Sequence, residues 1–128
     1  MDNVGTLKGV KVMIVDDSST IRRSVEIFLK PFGCEVIPAE NGFEAMSKIV
    51  DNHPDIIFID ITMPRLDGYQ ACMLIKRNPI YHSIPVVMLS SKDGLFDKAR
   101  GKIAGSNSYL TKPFTANGLF SIIRNYIA

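Results

Sequence analysis

Three continuous apolar runs of strand length set the strongest limit on how this chain can fold. They are Val12 to Val15, Ile56 to Ile59 and Val86 to Leu89. Each run is rich in β-branched residues and none alternates with polar residues, which is typical of strands buried on both faces of a parallel sheet. Cys34 to Ile37 and Ser108 to Leu110 are shorter strand candidates. The sequence therefore predicts five parallel strands.

Between the predicted strands, apolar residues recur with the 3.6-residue period of an amphipathic helix. The helical segments are Ile21 to Phe32, Ala45 to Val50, Tyr69 to Lys76, Leu95 to Ala104 and Leu119 to Ile127. Gly101 weakens the fourth segment, because glycine costs a helix interior about 1 kcal/mol relative to alanine. Strands that alternate with helices through right-handed crossovers predict an α/β fold, a doubly wound, flavodoxin-like (βα)5 parallel sheet with strand order 2-1-3-4-5.

Length and composition limit the domain organisation and the partners. With 128 residues and 46% apolar content, the chain fits one domain with a sizeable core. We assign residues 1–10 to a polar N-terminal tail and residues 11–128 to the folded domain. The formal net charge is +2 and no five or six like charges run together, which disfavours nucleic acid and anionic membranes as partners.

The sequence shows neither a secretion signal nor a run that approaches the ~18 apolar residues of a membrane span, so we expect a cytoplasmic protein. Cys34 and Cys72 belong to no paired motif, which predicts two reduced thiols. His53 and His82 have no second histidine or cysteine at metal-ligand spacing, and we predict that both lie on the surface.

Polar side chains follow four of the predicted strands, at the edge where open α/β sheets bind ligands. They are Asp16 and Asp17 after the first strand, Asp60 after the third, Ser90 after the fourth and Lys112 after the fifth. Three carboxylates and one ammonium sum to about −2, and their mutual repulsion is costly unless a divalent cation binds. A ligand set made only of oxygen favours Mg²⁺, which accepts few protein ligands besides water and phosphoryl oxygens.

These residue types indicate Mg²⁺-dependent phosphoryl chemistry. Asp60 is the predicted nucleophile, since a carboxylate can form an acyl phosphate and this one follows the central buried strand. Asp16 and Asp17 would hold the metal ion. Lys112 would neutralise phosphoryl oxygens, and the Ser90 hydroxyl would donate a hydrogen bond to one of them.

Each of these residues also has an ordinary structural interpretation. Asp16 and Asp17 would suit the start of the helix that follows them, because aspartate is a preferred helix cap. Asp60 would suit a turn, and Ser90 and Lys112 would suit solvated loops. The site interpretation is favoured because all five residues fall at one edge of the predicted sheet.

Four segments around these residues occur in one register along the chain. They are VDDSSTIRR after the first strand, FIDITMPRLDGYQ around Asp60, VVMLSSK through Ser90 and YLTKPF through Lys112. Ser90 lies 30 residues beyond Asp60, and Lys112 lies 52 beyond it. Together the segments resemble the receiver domain of two-component response regulators of the chemotaxis-regulator type, from Lys11 to Ile127. Within that family the chain is most similar to the stand-alone PilG-like regulators of twitching motility.

The resemblance implies a role for each site residue. Asp60 corresponds to the phosphoacceptor and to a metal ligand, and Asp16 and Asp17 to the acidic pair around Mg²⁺. Thr62 corresponds to the residue whose backbone carbonyl completes the metal shell. Ser90 corresponds to the switch hydroxyl and Tyr109 to the aromatic switch. Lys112 corresponds to the phosphate-binding lysine, and the resemblance implies a cis peptide bond between Lys112 and Pro113. Ser91 stands at a position where alanine is common.

The resemblance also implies partners. The phosphodonor would be a chemotaxis-type sensor histidine kinase, and the chain would be a signalling domain that promotes only its own phosphorylation and dephosphorylation. Phosphorylation would draw Ser90 inward and move Tyr109 towards burial. A downstream target protein would then bind the face formed by the helix Leu95 to Ala104, the fifth strand and the final helix, and the output would concern type IV pilus function.

Two other classes of protein remain open at this point. A receiver-like interaction module would keep the same pocket and act without phosphorylation. A Mg²⁺-dependent phosphatase of the haloacid dehalogenase type also uses an aspartate nucleophile. That enzyme, however, places it after the first strand in a D-x-D pattern, whereas Asp17 is followed here by Ser18 and Ser19.

Overall fold

The computed structural model of the protein describes residues 3–91, 99–100, 102 and 104–127. One parallel sheet contains the strands β1 (Lys11–Val15), β2 (Glu35–Ala39), β3 (Ile56–Asp60), β4 (Val86–Ser90) and β5 (Ser108–Thr111). The strand order is β2-β1-β3-β4-β5, which confirms the predicted doubly wound α/β architecture. The order reverses between β1 and β3, and this is where ligands bind in sheets of this kind.

Helices connect the strands in the described part of the chain. They are α1 (Ser19–Leu29), a 3₁₀ turn (Lys30–Phe32), α2 (Gly42–Asn52), α3 (Gly68–Arg77) and the C-terminal helix (Ala116–Tyr126). Each α-helix begins after a polar residue whose side-chain oxygen accepts the backbone N–H three positions on, and these caps are Ser18, Asn41, Asp67 and Thr115. The caps pair N–H groups that the first turn of a helix leaves without a partner.

Several elements begin or end a few residues from where they were predicted, and proline or glycine residues account for two of these differences. The helix predicted over Ile21 to Phe32 ends at Leu29, because Pro31 lies in the 3₁₀ turn and Gly33 takes a positive φ of 87° after it. Strand β2 begins at Glu35 and contains Pro38. A proline is tolerated there because β2 is an edge strand, whose outer side needs no ladder hydrogen bond.

The helix predicted over Leu95 to Ala104 lies largely outside the described residues, and Gly101 is among those not described. The four described positions of this segment, residues 99, 100, 102 and 104, are helical. Ala104 is buried, and its carbonyl accepts the Cys72 thiol at 3.6 Å. This end of the segment therefore packs against α3.

The sheet is covered on both faces, as its apolar strands predicted. Residues of one face pack with α2, α3 and Ala104; those from the three central strands are Met13, Val15, Ile57, Ile59, Val86 and Met88. Residues of the other face pack with α1 and the C-terminal helix; those from the same strands are Val12, Ile14, Ile56, Phe58, Val87 and Leu89. All of these side chains are fully buried, so the three central strands form a rigid base for whatever their carboxyl ends carry.

Residues 3–10, assigned to a tail from the sequence, contact the 3₁₀ turn that follows α1. The Gly5 and Leu7 N–H groups donate to the carbonyls of Pro31 and Phe32, both at 2.9 Å. The Leu7 side chain is 2% exposed and belongs to the core on the α1 side of the sheet. The point at which the domain begins stays a prediction.

Cysteines and histidines have the surroundings that the sequence indicated. Cys34 and Cys72 are free thiols, and burial raises the pKa of each to about 11, so both thiols stay protonated at neutral pH. His53 and His82 are exposed. None of the helices in the described part of the chain has the length and apolar character of a membrane span.

Candidate functional site

Three carboxylates meet at the carboxyl ends of β1 and β3. Val15 of β1 pairs with Ile59 of β3, and Asp16 and Asp60 are the next residues along the chain. Asp16 and Asp60 therefore lie side by side. Asp17 follows directly, and one carboxylate oxygen from each of the three residues lies within 4.8 Å of the others. Asp16 is fully buried, Asp60 is 7% exposed, and Asp17 is exposed. The sheet register thus assembles the predicted acidic cluster at the reversal of strand order.

Asp16 is held by hydrogen bonds on every side. Its backbone N–H donates to Ala39 at 3.0 Å, its Oδ1 accepts the Ser18 N–H at 2.9 Å, and its carbonyl accepts Arg22 Nη1 at 2.6 Å. Ser18 itself caps α1. The preference of aspartate for helix caps therefore does not explain why Asp16 and Asp17 stand here.

Lys112 reaches the acidic cluster from the loop after β5. Its Nζ donates to Asp16 Oδ2 at 2.9 Å and lies 3.5 Å from Asp60 Oδ1. Burial lowers the pKa of Lys112, but the hydrogen bond and the charge of Asp16, with the Asp60 carboxylate, raise it overall. The side chain is therefore a fixed cation between two carboxylates. Its peptide bond to Pro113 is cis, as the resemblance implied.

Asp60 is electrostatically strained in the absence of a cation. Burial raises the pKa of Asp60, and the neighbouring charges of Asp16 and Asp17 add to the rise. The Thr62 N–H, which donates to Asp60 Oδ1 at 3.2 Å, and the Lys112 ammonium lower it in part. One lysine does not neutralise three carboxylates, so the cluster keeps a net negative charge.

The chemistry of this cluster fits a divalent cation such as Mg²⁺. All of the side-chain donors are carboxylate oxygens, which hard cations prefer. One carboxylate oxygen from each of Asp16, Asp17 and Asp60 lies within 4.8 Å of the others, so these three residues would be the ones to hold such an ion. Thr62 lies at the edge of this cluster and is exposed. Its predicted carbonyl contact with the metal stays a prediction.

Ser90 and Ser91 lie at the end of β4, and Tyr109 lies within the neighbouring strand β5. Ser90 is the last residue of β4 and is 1% exposed, while Ser91 is exposed. Tyr109 pairs with Met88 across β4 and β5 and is half-buried. Ser90 and Tyr109 face the same side of the sheet, because alternate residues of a strand point the same way and Ser90 is two positions beyond Met88. Their part in a switch stays a prediction.

Two residues of the site have roles that the sequence alone did not indicate. Arg22 donates to the backbone of Asp16, and Gly68, the first residue of α3, stands directly against the backbone of Asp60. A Cβ atom on Gly68 would lie 2.3 Å from the Asp60 carbonyl oxygen. A glycine at such a position is a sequence cue for close approach of the backbone, because it has no Cβ.

A cavity of about 230 Å³ opens beside Asp17. Its lining consists of Asp17, Glu40, Asn41, Phe43, Pro64 and Arg65. Asp17 thus faces both the acidic cluster and an open space large enough for solvent and for part of a bound molecule. The acidic cluster is therefore open to solvent on the side of Asp17.

The acidic cluster lies where the strand order reverses, and Lys112 contacts two of its carboxylates. The class of protein that carries such a site is identified by family. The sequence profile of the response regulator receiver domain matches residues 12–124. The chain belongs to the response regulator receiver domain family, whose members are signalling domains.

Several individual proteins are similar to this chain. Protein PilG of Pseudomonas aeruginosa is 60% identical over 119 residues, which are 93% of this chain and 88% of PilG. The alkaline phosphatase synthesis transcriptional regulatory protein PhoP of Bacillus subtilis is 36% identical over 105 residues, 82% of this chain and 43% of PhoP. This chain therefore spans less than half the length of that transcriptional regulator.

Solved structures show the same likeness. Chemotaxis protein CheY4 of Vibrio cholerae superimposes with a TM-score of 0.87 at 31% identity, covering 92% of this chain and 98% of CheY4. The receiver domain of the Francisella response regulator 1452 superimposes with a TM-score of 0.84 at 32% identity, covering 92% of this chain and 96% of that domain. The predicted family and fold are thereby confirmed.

Proposed function

We propose that this protein is a phosphorelay receiver that accepts a phosphoryl group on Asp60 in the presence of Mg²⁺. The observation that carries the proposal is the convergence of Asp16, Asp17 and Asp60 within 4.8 Å, with Lys112 Nζ 3.5 Å from Asp60 Oδ1. Carboxylates that repel one another favour a divalent cation, and the lysine supplies a second positive charge. Asp60, the last residue of β3, is favoured over Asp16 as the phosphoacceptor, because both carboxylate oxygens of Asp16 already accept hydrogen bonds, from Ser18 and Lys112.

Phosphoryl transfer to this site is a single displacement. A carboxylate oxygen of Asp60 attacks the donor phosphorus, and an acyl phosphate bond forms as the bond from phosphorus to the leaving group breaks. With a phosphohistidine donor, the leaving imidazole keeps the electron pair and takes a proton from water. Asp16 and Asp17, with the Thr62 carbonyl, would hold Mg²⁺, which when bound supplies positive charge to the phosphoryl oxygens.

Lys112 and Ser90 would stabilise the product. The Lys112 ammonium already lies between two carboxylates, so an added phosphoryl group gains an ion pair without a large side-chain movement. Ser90 ends the strand next to β3, from which its hydroxyl would donate to a phosphoryl oxygen.

Labelling should depend on Mg²⁺ and on Asp17. Acetyl phosphate with Mg²⁺ is expected to add one phosphoryl group, detected by mass spectrometry because the chain has no tryptophan to report the change. EDTA should abolish labelling.

Asp17→Ala should slow labelling by at least about tenfold, since a metal ligand is lost. Asp51→Ala, which removes an exposed carboxylate at the end of α2, is the matched control and should be labelled normally. Labelling that is unchanged in EDTA would contradict the metal role, and a wild type that is never labelled would favour an interaction module.

We further propose that the phosphoryl group changes a protein-binding face made by the segment Leu95 to Ala104, β5 and the C-terminal helix. A contact supports this route from the site. The Arg100 guanidinium lies 4.2 Å from the centre of the Tyr69 ring, and Tyr69 follows Gly68, which touches the Asp60 backbone. Ser90 would move towards the new oxygens and leave space on the side of the sheet that Tyr109 faces.

Amide hydrogen exchange should map this face. Beryllofluoride with Mg²⁺ mimics a phosphoryl group, and its addition should change protection in β5, in the C-terminal helix and between Leu95 and Ala104. Mg²⁺ without beryllofluoride is the control. Changes confined to α2, around Ala45 to Val50, would overturn the proposed route.

The biological setting proposed is a pilus pathway. The 60% identity to PilG over 88% of that protein supports a regulator of type IV pilus twitching motility, phosphorylated in the cytoplasm by a chemotaxis-type histidine kinase. In this proposal residues 11–128 are the receiver domain and residues 1–10 precede it. Phosphotransfer from the histidine kinases of one organism, compared at short times, tests the pathway, because the cognate kinase is expected to transfer fastest.

A further inference from the structure

Among the basic side chains of α1, Arg22 is the one that contacts the segment Asp16–Asp17 in the described part of the chain. Its Nη1 donates to the Asp16 carbonyl oxygen at 2.6 Å, and its Nη2 lies 3.8 Å from Glu40 Oε2. The Arg22 side chain is 18% exposed, whereas that of Glu40 is 62% exposed. The ion pair with Glu40 therefore contributes little by itself, and the short hydrogen bond to the backbone is the stronger contact.

The carbonyl that Arg22 holds has a special place in the loop. It belongs to the peptide group that joins Asp16 to Asp17, and a peptide group is planar and rigid. Arg22 holds the oxygen of this peptide group, and the Asp16 N–H donates to the Ala39 carbonyl at 3.0 Å. Together these two hydrogen bonds restrict the directions in which the Asp16 and Asp17 side chains leave the backbone. One guanidinium thus constrains two members of the acidic cluster.

We propose that Arg22 is a positioning residue of the divalent-cation site, which orients the Asp16 and Asp17 carboxylates through the peptide group between them. The inference rests on the proposed function only in taking this cluster as the cation site. Arg22 is expected to touch neither the cation nor the phosphoryl group.

Charge alone predicts the opposite effect for Arg22. A positive charge near three carboxylates competes with a bound cation, so removing it should tighten cation binding. If positioning dominates, removing Arg22 should weaken cation binding. The sign of the change therefore separates the two effects.

The test compares two neighbouring arginines. Arg22→Met and Arg23→Met remove the same charge and keep a long apolar stem, but Arg23 is exposed on α1. Mn²⁺, which takes the same oxygen ligands, is titrated against each variant and its binding followed by water-proton relaxation, with no phosphodonor present. Arg22→Met is expected to bind Mn²⁺ about tenfold more weakly than the wild type, as for other residues that orient metal ligands. Arg23→Met is expected to bind as tightly as the wild type or more tightly.

Arg22→Lys supplies a rescue. It keeps the charge and a donor for the Asp16 carbonyl, so its affinity should fall between those of the wild type and Arg22→Met. Circular dichroism establishes that each variant is folded, and Arg22→Gln, which is neutral and two bonds shorter, replaces Arg22→Met if that variant is not. Arg22→Met or its replacement binding Mn²⁺ as tightly as Arg23→Met would overturn the inference. If Asp17→Ala bound Mn²⁺ as tightly as the wild type, that result would instead contradict the proposed cation site.

Discussion

Asp60→Asn is expected to abolish phosphoryl labelling by acetyl phosphate and Mg²⁺, with no other residue labelled in its place. Asparagine has nearly the same shape but lacks the carboxylate oxygen that would attack phosphorus. Asp16 is an unsuitable substitute, because both of its carboxylate oxygens already accept hydrogen bonds, from Ser18 and Lys112. Mass spectrometry of the intact protein, followed by peptide mapping, makes the measurement. Full labelling of Asp60→Asn would remove Asp60 from the proposed role.

The stability of Asp60→Asn provides the control that separates lost reactivity from unfolding. Burial and the Asp16 and Asp17 charges raise the pKa of Asp60 in the folded state, so folding favours its protonated form. As the pH rises through that raised pKa, the folded state must hold a costly charge, and the free energy of unfolding falls. Without Mg²⁺ at neutral pH, the variant should therefore be more stable than the wild type. The difference should shrink as the pH falls towards about 3.9, the usual pKa of aspartate. Thermal unfolding followed by circular dichroism tests this.

Gly68→Ala is expected to lower the free energy of unfolding by about 3 kcal/mol, the upper part of the range for overpacked sites. The added Cβ would lie 2.3 Å from the Asp60 carbonyl oxygen, 2.8 Å from Ile61 Cα and 2.9 Å from the Asp60 carbonyl carbon. All three are backbone atoms at the end of a buried strand, so no flexible side chain can move aside. The clash should also displace Asp60, and labelling should slow in whatever fraction stays folded. Urea unfolding measures the change in stability.

Gly118→Ala is the matched control for the glycine substitution. Its added Cβ would meet only the Thr115 hydroxyl at 3.3 Å, and the residue lies in the C-terminal helix, where alanine is favoured over glycine. Its free energy of unfolding is expected to stay within about 1 kcal/mol of the wild type. If Gly68→Ala and Gly118→Ala had the same free energy of unfolding, the backbone between β3 and α3 would be able to move away from the added Cβ, and the prediction would be wrong.

The local patterns of the chain predicted the architecture well where they were long and uniform. The runs Val12 to Val15, Ile56 to Ile59 and Val86 to Leu89 all lie within observed strands. Prediction was weaker at the ends of elements, as at Leu29, where α1 ends before the apolar pattern does. An apolar period records which face is buried, whereas a helix end depends on single residues such as Pro31 and Gly33.

Candidate residues for the site could also be chosen from the sequence, but their arrangement could not. Polar residues at the ends of apolar runs identified Asp16, Asp60 and Lys112, because parallel strands bring their carboxyl ends to one edge. The hydrogen bond from Lys112 to Asp16 joins residues 96 positions apart. No local pattern contains such a distance, which follows only from the sheet register and from the loops that cross between strands.

The sequence by itself determined the fold class, the strand order and the identity of the acidic residues, because each depends on composition and spacing along the chain. Only the tertiary structure decided which groups hold those residues in place. The bond from Arg22 to the Asp16 carbonyl and the contact of Gly68 with the Asp60 backbone depend on how α1 and α3 pack against the sheet. Packing of this kind is set by the shapes of many side chains at once, so it cannot be derived from any single segment.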